Sequence, residues 1–402
     1  MLDYLDLDAD CSETELMVRH TAREFVAERV APDIGEWFER GEFPDHLVGE
    51  MGDLDFYAPT LEWGELPGVS ERAYGLLLQE LEAGDAAIRS MASVQGALVM
   101  WPIHEYGTEV QRERWLPGLA AGDLVGCFGL TEPDHGSDPA SMATTAEPDA
   151  DGYRLSGTKT WITNAPIADV ALVWARVAAE GNGDNGDEAS GDSGDDASGP
   201  VRGFLVETDR DGVETGEIDG KLSMRASSTG EVHLREAWVP EDAMLGVEGM
   251  GGPLSCLTQA RYGVAWGAVG AARDCFEVAR EYARDREQFG GPIARFQLQQ
   301  EKLADMAEAI TTGQLLVHRL ADLKERGELR PQQVSMAKRY TTRTAREVAR
   351  TAREMLGGNG ITTDYSPMRH LANVETTYTY EGTHDIHTLI LGEDLTGYTA
   401  YE

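Results

Sequence analysis

Lysine is scarce: of the 34 basic residues in this 402-residue chain only five are lysine, against 71 aspartates and glutamates, and the net charge is −37. So negative a chain repels a polyphosphate backbone, which excludes nucleic acid as a partner. The acidic residues are spread along the whole chain, which favours a surface adapted to concentrated salt over a patch for a basic partner. In molar salt the Debye length shrinks to about 3 Å and self-repulsion is screened. Cysteine is scarce too: Cys11, Cys127, Cys256 and Cys275 lie far apart with no Cys-x-x-Cys pair, so neither a zinc site nor a disulfide framework is suggested, and no metal is expected. No run approaches the roughly 20 apolar residues of a membrane-spanning helix. The opening MLDYLDLDADCSETE is acidic where a secretory signal would be basic and then apolar. A cytoplasmic protein that does not insert into membranes is expected.

What is present is enough apolar material, 41% of residues, for several packed layers. From about residue 12 to 122 the pattern is helical: in ETELMVRHTAREFVAERV, Leu16, His20, Phe25 and Val26 fall near one face, and Tyr74 to Leu81 repeats the period. Between about 125 and 240, β-rich runs such as ADVALVWARV, RGFLVET and EVHLREAWV are broken by Gly, Asp and Pro. After 252 helices return, with Leu303, Met306, Ile310, Gly313, Val317 and Leu320 stepping by three and four. Another helix, Ser335 to Leu356, is stopped by Gly357-Gly358. The order predicts an α+β, mostly α, fold: an N-terminal helical domain (1–122), a middle β domain (123–240) and a C-terminal helical bundle (241–402). Residues 180–200, EGNGDNGDEASGDSGDDASGP, have almost no apolar content to offset ordering entropy. They read as a mobile acidic loop in a hairpin, without EF-hand spacing.

Four segments have unusual composition at element ends, where backbone donors and reactive side chains reach a ligand. GCFGLTEPDHGSD (126–138) offers glycines for close backbone approach and Thr131, Glu132, Ser137 and Asp138 for polar contacts; alone, it is also an ordinary turn. GTKTWITNAP (157–166) puts Trp161 and Thr163 two apart, on one face of a strand, where they could cover and hydrogen-bond a flat ring; a half-buried strand is the plainer reading. REYARDREQFGGPIARFQ holds Arg286, Gln288 and Phe289 at a helix end, suited to an anionic ligand or to surface exposure. In TYTYEGTHDIHTLILG (377–392) a glutamate, Glu381, stands between an aromatic and a glycine before a helix. A carboxylate in an apolar pocket has a raised pKa and can take a proton from a weakly acidic C–H. His384 and His387 lack a third ligand nearby and read as packing or hydrogen-bonding residues.

FGLTEPDHGSD, GTKTWITN, DREQFG, MLGGNG and YEGTHDIH, in this order and spacing, resemble the acyl-CoA dehydrogenase family over about residues 15 to 400. The resemblance is nearest to its glutaryl-CoA branch through IRSMASVQGALVMWPIHEYG, GCFGLTEP, ARYGVAWG and YEGTHDIHTLILG. It implies a helical, a β and a four-helix-bundle domain enclosing FAD. Phe128, Leu130 and Thr131, with Ser137, would line flavin and thioester; Trp161, Ile162 and Thr163 would pack on the ring. Arg286 and Gln297 would meet the diphosphate and adenosine end, and Glu354, Gly357 and Gly358 the adenosine portion from a second subunit. Thr383 and Asp385 would hold FAD near the base. Ser137, Leu254 to Arg261 and Gly382 would touch the CoA arm. Many relatives carry Gln where this chain has Glu354, and some Ser-Gln where it has His384-Asp385.

The resemblance implies a mechanism as well. Glu381 would take a proton from Cα of the thioester while the β-hydride leaves to flavin. The backbone N–H of Glu381 and a ribityl hydroxyl of FAD would face the developing enolate oxygen. Electrons would pass to an electron-transfer flavoprotein, and a homotetramer is implied by FAD contacts crossing a subunit boundary. With glutaryl-CoA as substrate, Arg89, assisted by Ser90, would grip the terminal carboxylate; Arg89 could instead simply pair with Glu82, seven residues earlier. A short-chain or branched monocarboxylic acyl-CoA dehydrogenase and a catalytically silent acyl-CoA-binding subunit stay open.

Overall fold

The computed structural model describes residues 3–178 and 198–400. The acidic segment therefore lies outside the described residues except for its last three positions. By internal contacts the chain forms two compact units: 1–93 with 220–227 and 258–402, and 94–219 with 228–257. The first helical stretch and most of the last thus share one unit. The fold is α+β.

The helical unit contains α1 (Glu13–Phe25), α2 (Ile34–Arg40), α3 (His46–Asp53), α4 (Glu71–Gly84) and α5 (Ala86–Ser93). α1 starts at a capping box in which Ser12 and Glu15 satisfy each other's backbone N–H groups. Its buried face is Glu15, Arg19, Ala22 and Phe25, and His20 is exposed, so the apolar face expected through Leu16 and His20 is out of phase. The reason is electrostatic: Arg19 can be buried because it forms a two-pronged bond with Asp8 at 2.5 and 2.7 Å.

In the other unit, α6 (Trp101–Tyr106) and α7 (Glu109–Ala121) precede β1 (Gly126–Gly129), β2 (Thr145–Asp149), β3 (Gly152–Thr163), β4 (Val170–Ala178), β5 (Ser198–Glu207), β6 (Val213–Glu217) and β7 (Thr229–Pro240). The seven strands form one sheet in the order β1-β4-β2-β3-β7-β6, with β5 also paired to β4. β4 and β5 are antiparallel, Val170 facing Glu207 and Ala178 facing Ser198, so the two strands that flank the acidic segment pair with each other as a hairpin requires. The sheet buries Leu155, Val173, Phe204, Val206, Val232 and Leu234 in one apolar core. The register of β3 against β7 shifts between Lys159 and Ile162, and Trp161 there has a positive φ of 60°. Such a bulge re-aims side chains at a strand end.

α8 (Gly251–Asp285) is followed by the short ribbon β8 (Glu287–Gln288) and β9 (Gly291–Pro292), and then by α9 (Gln297–Glu325), α10 (Pro331–Met355), α11 (Ser366–Thr379) and α12 (His384–Thr396). Met306, Ile310, Gly313, Val317 and Leu320 are buried on α9 as their spacing predicts. α4 and α8 approach closely because two glycines allow it. A side chain at Gly75 would collide with the Trp266 indole, and one at Gly270 with the Gln79 carbonyl.

Candidate active site

In the helical unit the distinctive feature is the turn between α11 and α12. Tyr380 ends α11 in an extended conformation, Glu381 has a positive φ of 52°, and Thr383 caps α12 by accepting from the Ile386 N–H at 3.1 Å. A non-glycine residue in the left-handed region is strained by roughly 1–2 kcal/mol and persists only where its surroundings hold it. Those surroundings are cationic. Lys338 on α10 donates to the carbonyls of Tyr380 and, at 2.7 Å, of Gly382. Arg261 on α8 donates to the carbonyl of Glu381 at 2.8 Å.

Glu381 is half-buried, and its Oε2 is buried with no hydrogen-bond partner among the described residues. Burial pushes the carboxyl pKa up, while Arg89, Lys338 and Arg261 pull against that shift. Burial drives the Lys338 ammonium down and the neighbouring His387 imidazole down to about 2. A carboxylate so placed is poorly solvated and readily protonated, which is what a base for a weakly acidic C–H needs.

Arg89 is fully buried. Its Nε donates to Glu82 at 2.5 Å and its Nη2 to the Tyr380 hydroxyl, while Nη1 has no partner among the described residues. Burial works against its charge, but Glu82 and Tyr380 hold it protonated. The pairing with Glu82 is therefore present and leaves one donor over. Gly267 on α8 makes the pair possible, since a Cβ there would strike the Glu82 carboxylate. Ser90 is buried beside Arg89 in sequence, and one turn on, the Ser93 hydroxyl is buried without a partner among the described residues.

In the sheet unit the recognisable motifs surround a second ion pair. Lys159, fully buried, meets Glu132 at 2.8 Å. Glu132 also accepts from the Ala143 and Thr144 N–H groups at 2.6 and 2.9 Å. Burial opposes ionisation of Glu132, but Lys159 and these donors hold its pKa down to about 2. Burial lowers the Lys159 ammonium to about 8, so the pair stays charged at neutral pH. The Thr160 N–H donates to the Thr131 carbonyl at 2.9 Å, tying the 126–138 loop to the end of β3. Beyond that tie Ile162 is buried, Thr163 is half-buried and Trp161 is 62% exposed. Phe128 and Leu130 are buried, Thr131 is half-buried, and Ser137 and Leu254 are exposed. An exposed indole two residues from a half-buried threonine suits a flat ring laid on the strand end.

The remaining predicted positions lie on the surface of the helical unit. Arg286 and Gln297 are exposed, and Phe289, at the tip of the β8–β9 ribbon, is 89% exposed. Glu354 is bonded to Lys302 at 2.9 Å, Gly357 has a positive φ of 61°, and a Cβ at Gly358 would meet open space. Asp385 is exposed in the first turn of α12. His384 stacks on Tyr378 at a centroid distance of 4.4 Å.

The sequence pattern singles out neither Lys338 nor Ser93, and marks Tyr380 only as the aromatic before Glu381. A signal for Lys338 was available. It is one of five lysines and sits in the buried stripe Val334, Lys338, Thr341, Ala345, Val348, Ala352, where a charge needs a reason.

Profiles for three domains of one family match in order: acyl-CoA dehydrogenase N-terminal domain over residues 12–123, middle domain over 127–237 and C-terminal domain over 248–396. A glutaryl-CoA dehydrogenase of Mycobacterium smegmatis is 47% identical with a TM-score of 0.91, covering 98% of this chain and 97% of that one. A second structure of a glutaryl-CoA dehydrogenase from that organism, in complex with FADH2, is 44% identical with a TM-score of 0.93, over 100% and 99% of the two chains. The mitochondrial short-chain specific acyl-CoA dehydrogenase of Bos taurus is 33% identical over 95% of this chain and 90% of its own length.

Proposed function

Since the chain belongs to the acyl-CoA dehydrogenase family, we propose that it dehydrogenates glutaryl-CoA between Cα and Cβ, with Glu381 as the base. FAD is the family's cofactor, and when bound it supplies the acceptor for the β-hydride. Positions for it are the exposed Trp161 with Thr163, Phe128, Leu130 and Thr131 in the sheet unit. Thr383, Asp385, Arg286, Gln297 and Glu354 to Gly358 are the corresponding positions of the helical unit.

The chain's own work is proton chemistry and orientation. The carboxylate of Glu381 takes the Cα proton, and the negative charge that develops on the thioester oxygen is met by the Glu381 N–H, a donor already fixed in place. At the other end of the acyl chain the free Nη1 of Arg89 donates to the terminal carboxylate. That donor is the observation that carries the glutaryl reading: a buried arginine with one nitrogen over is suited to an anion and is of no use to a neutral chain. After oxidation, loss of the γ-carboxylate as CO2 leaves a carbanion delocalised through the enone, and its protonation gives crotonyl-CoA. Electrons leave to an electron-transfer flavoprotein, and the exposed Arg286 and the Glu354 to Gly358 turn contribute FAD contacts to a second subunit in a tetramer.

Short-chain monocarboxylic acyl-CoAs are the second reading, favoured by the cattle relative and by the fact that Glu82 already partners Arg89. An anaerobic screen of glutaryl-, butyryl-, isovaleryl- and succinyl-CoA, read by flavin bleaching and product mass, separates the two. Preference for butyryl-CoA over glutaryl-CoA overturns the glutaryl reading.

A further inference from the structure

Two lysines are almost fully buried, Lys159 and Lys338, and they are held differently. Lys159 meets a carboxylate. Lys338, among the described residues, has no carboxylate within ion-pair distance and gives its hydrogen bonds to two backbone carbonyls, those of Tyr380 and Gly382. A buried ammonium without a paired carboxylate is unfavourable, so carbonyl oxygens must compensate it, and these two flank Glu381. With Arg261 on the Glu381 carbonyl, three successive carbonyls are turned onto the donors of two basic side chains.

The consequence is directional. In a trans peptide the C=O and the N–H of the next residue point opposite ways. Holding the Tyr380 carbonyl toward α10 therefore turns the Glu381 N–H away from it, and holding the Gly382 carbonyl fixes the far side of the left-handed residue. We propose that Lys338 is a positioning residue for the reaction: by gripping the carbonyls on either side of Glu381, it aims the Glu381 N–H at the thioester oxygen and keeps the carboxylate poised over Cα. This rests on the acyl-CoA dehydrogenase reading of Glu381. The charged and titratable groups around that carboxyl are Arg89, Arg261, Glu82, Tyr74 and Tyr380, besides Lys338 itself.

The test uses the FAD-loaded full-length enzyme and Lys338→Met, which keeps the length of the stem and removes the donors. Acetoacetyl-CoA is the probe, because loss of its acidic α-proton is read directly in the ultraviolet without any redox step. The bound ligand's enolisation pKa should rise by about 1–2 units in Lys338→Met. kcat on the preferred acyl-CoA should fall about 10- to 100-fold, less than the roughly 100- to 1000-fold cost of deleting an oxyanion donor outright because the N–H is misaligned and not lost, with KM changed less than about threefold. A folded, flavin-bound Lys338→Met that enolises the probe like wild type, with kcat within about threefold, overturns the proposal. If that variant does not fold, Lys338→Gln, too short to bridge both carbonyls, is held to the same criterion. Wild-type enzyme that neither oxidises an acyl-CoA nor enolises acetoacetyl-CoA instead overturns the underlying reading of Glu381.

Discussion

Two places in the molecule handle buried charge in opposite ways. At the end of β3, Lys159 and Glu132 neutralise each other at 2.8 Å, and the pair supports a contiguous stretch of chain whose outer face carries the exposed Trp161. At the turn before α12, cations from α5, α8 and α10 face Glu381 and its neighbouring carbonyls, and the Oε2 of the carboxylate has no hydrogen-bond partner among the described residues. The first arrangement makes a stable platform. The second leaves a carboxylate oxygen unpaired, which suits the base chemistry proposed for Glu381 and is a liability for folding.

The sharpest way to break this contrast is at Glu381. Glu381→Gln is nearly isosteric but cannot accept a proton, so turnover should fall by about two to four decades while FAD and fold are kept. Stopped-flow bleaching with substrate checks it, and activity within tenfold of wild type refutes the assignment. At the platform the corresponding change should act on stability instead. Glu132→Gln leaves the Lys159 ammonium buried and unpaired, a loss of about 3–5 kcal/mol measurable by denaturant unfolding in high salt. The sign with pH follows from the depressed carboxyl: the stabilisation by Glu132 is present above its ordinary value near 4.5 and is lost as pH falls toward about 2. An acid-unfolding midpoint that does not differ between wild type and Glu132→Gln contradicts this.

Arg89 tests whether the helical site reads charge in its ligand. Losing one partner of a desolvated charged contact costs about 2–5 kcal/mol, so Arg89→Gln should lower kcat/KM for glutaryl-CoA about 30-fold to several thousand-fold. Butyryl-CoA should be nearly unaffected. Equal losses on both substrates make Arg89 structural, through Glu82. The smallest effect belongs to the platform's outer face. Trp161→Ala removes a side chain that packs on little of the protein, so the change in stability should stay within about 0.5 kcal/mol. FAD affinity should weaken by about 0.5–1.5 kcal/mol, the worth of a ring stack. Equilibrium dialysis of flavin against the apoprotein measures it, and a large loss of stability at unchanged flavin affinity sinks the idea.

The platform was legible because its residues are neighbours. GCFGLTEP and GTKTWITN announce glycines, hydroxyls and an aromatic within a few positions of one another, and period-two alternation predicts Trp161 and Thr163 on one face. What alternation could not give is the bulge at Lys159–Ile162 or the pairing of Lys159 with Glu132, twenty-seven residues away. The face of α1 was misread for a related reason: Arg19 is inside only because Asp8 reaches it. A hydrophobic pattern cannot anticipate a paired charge.

By itself, the sequence determined the order of helices and strands, the seam of α9, and the local chemistry of each motif, since these follow from spacing of three, four or two along one chain. Only the tertiary structure decided that Lys338, Arg261, Arg89 and Glu82, from four different helices, converge on one glutamate. Such convergence leaves no periodic trace. It depends on helix crossings that glycines at 75, 267 and 270 permit, and on a lowered dielectric that exists only once the helices have packed around the half-buried glutamate.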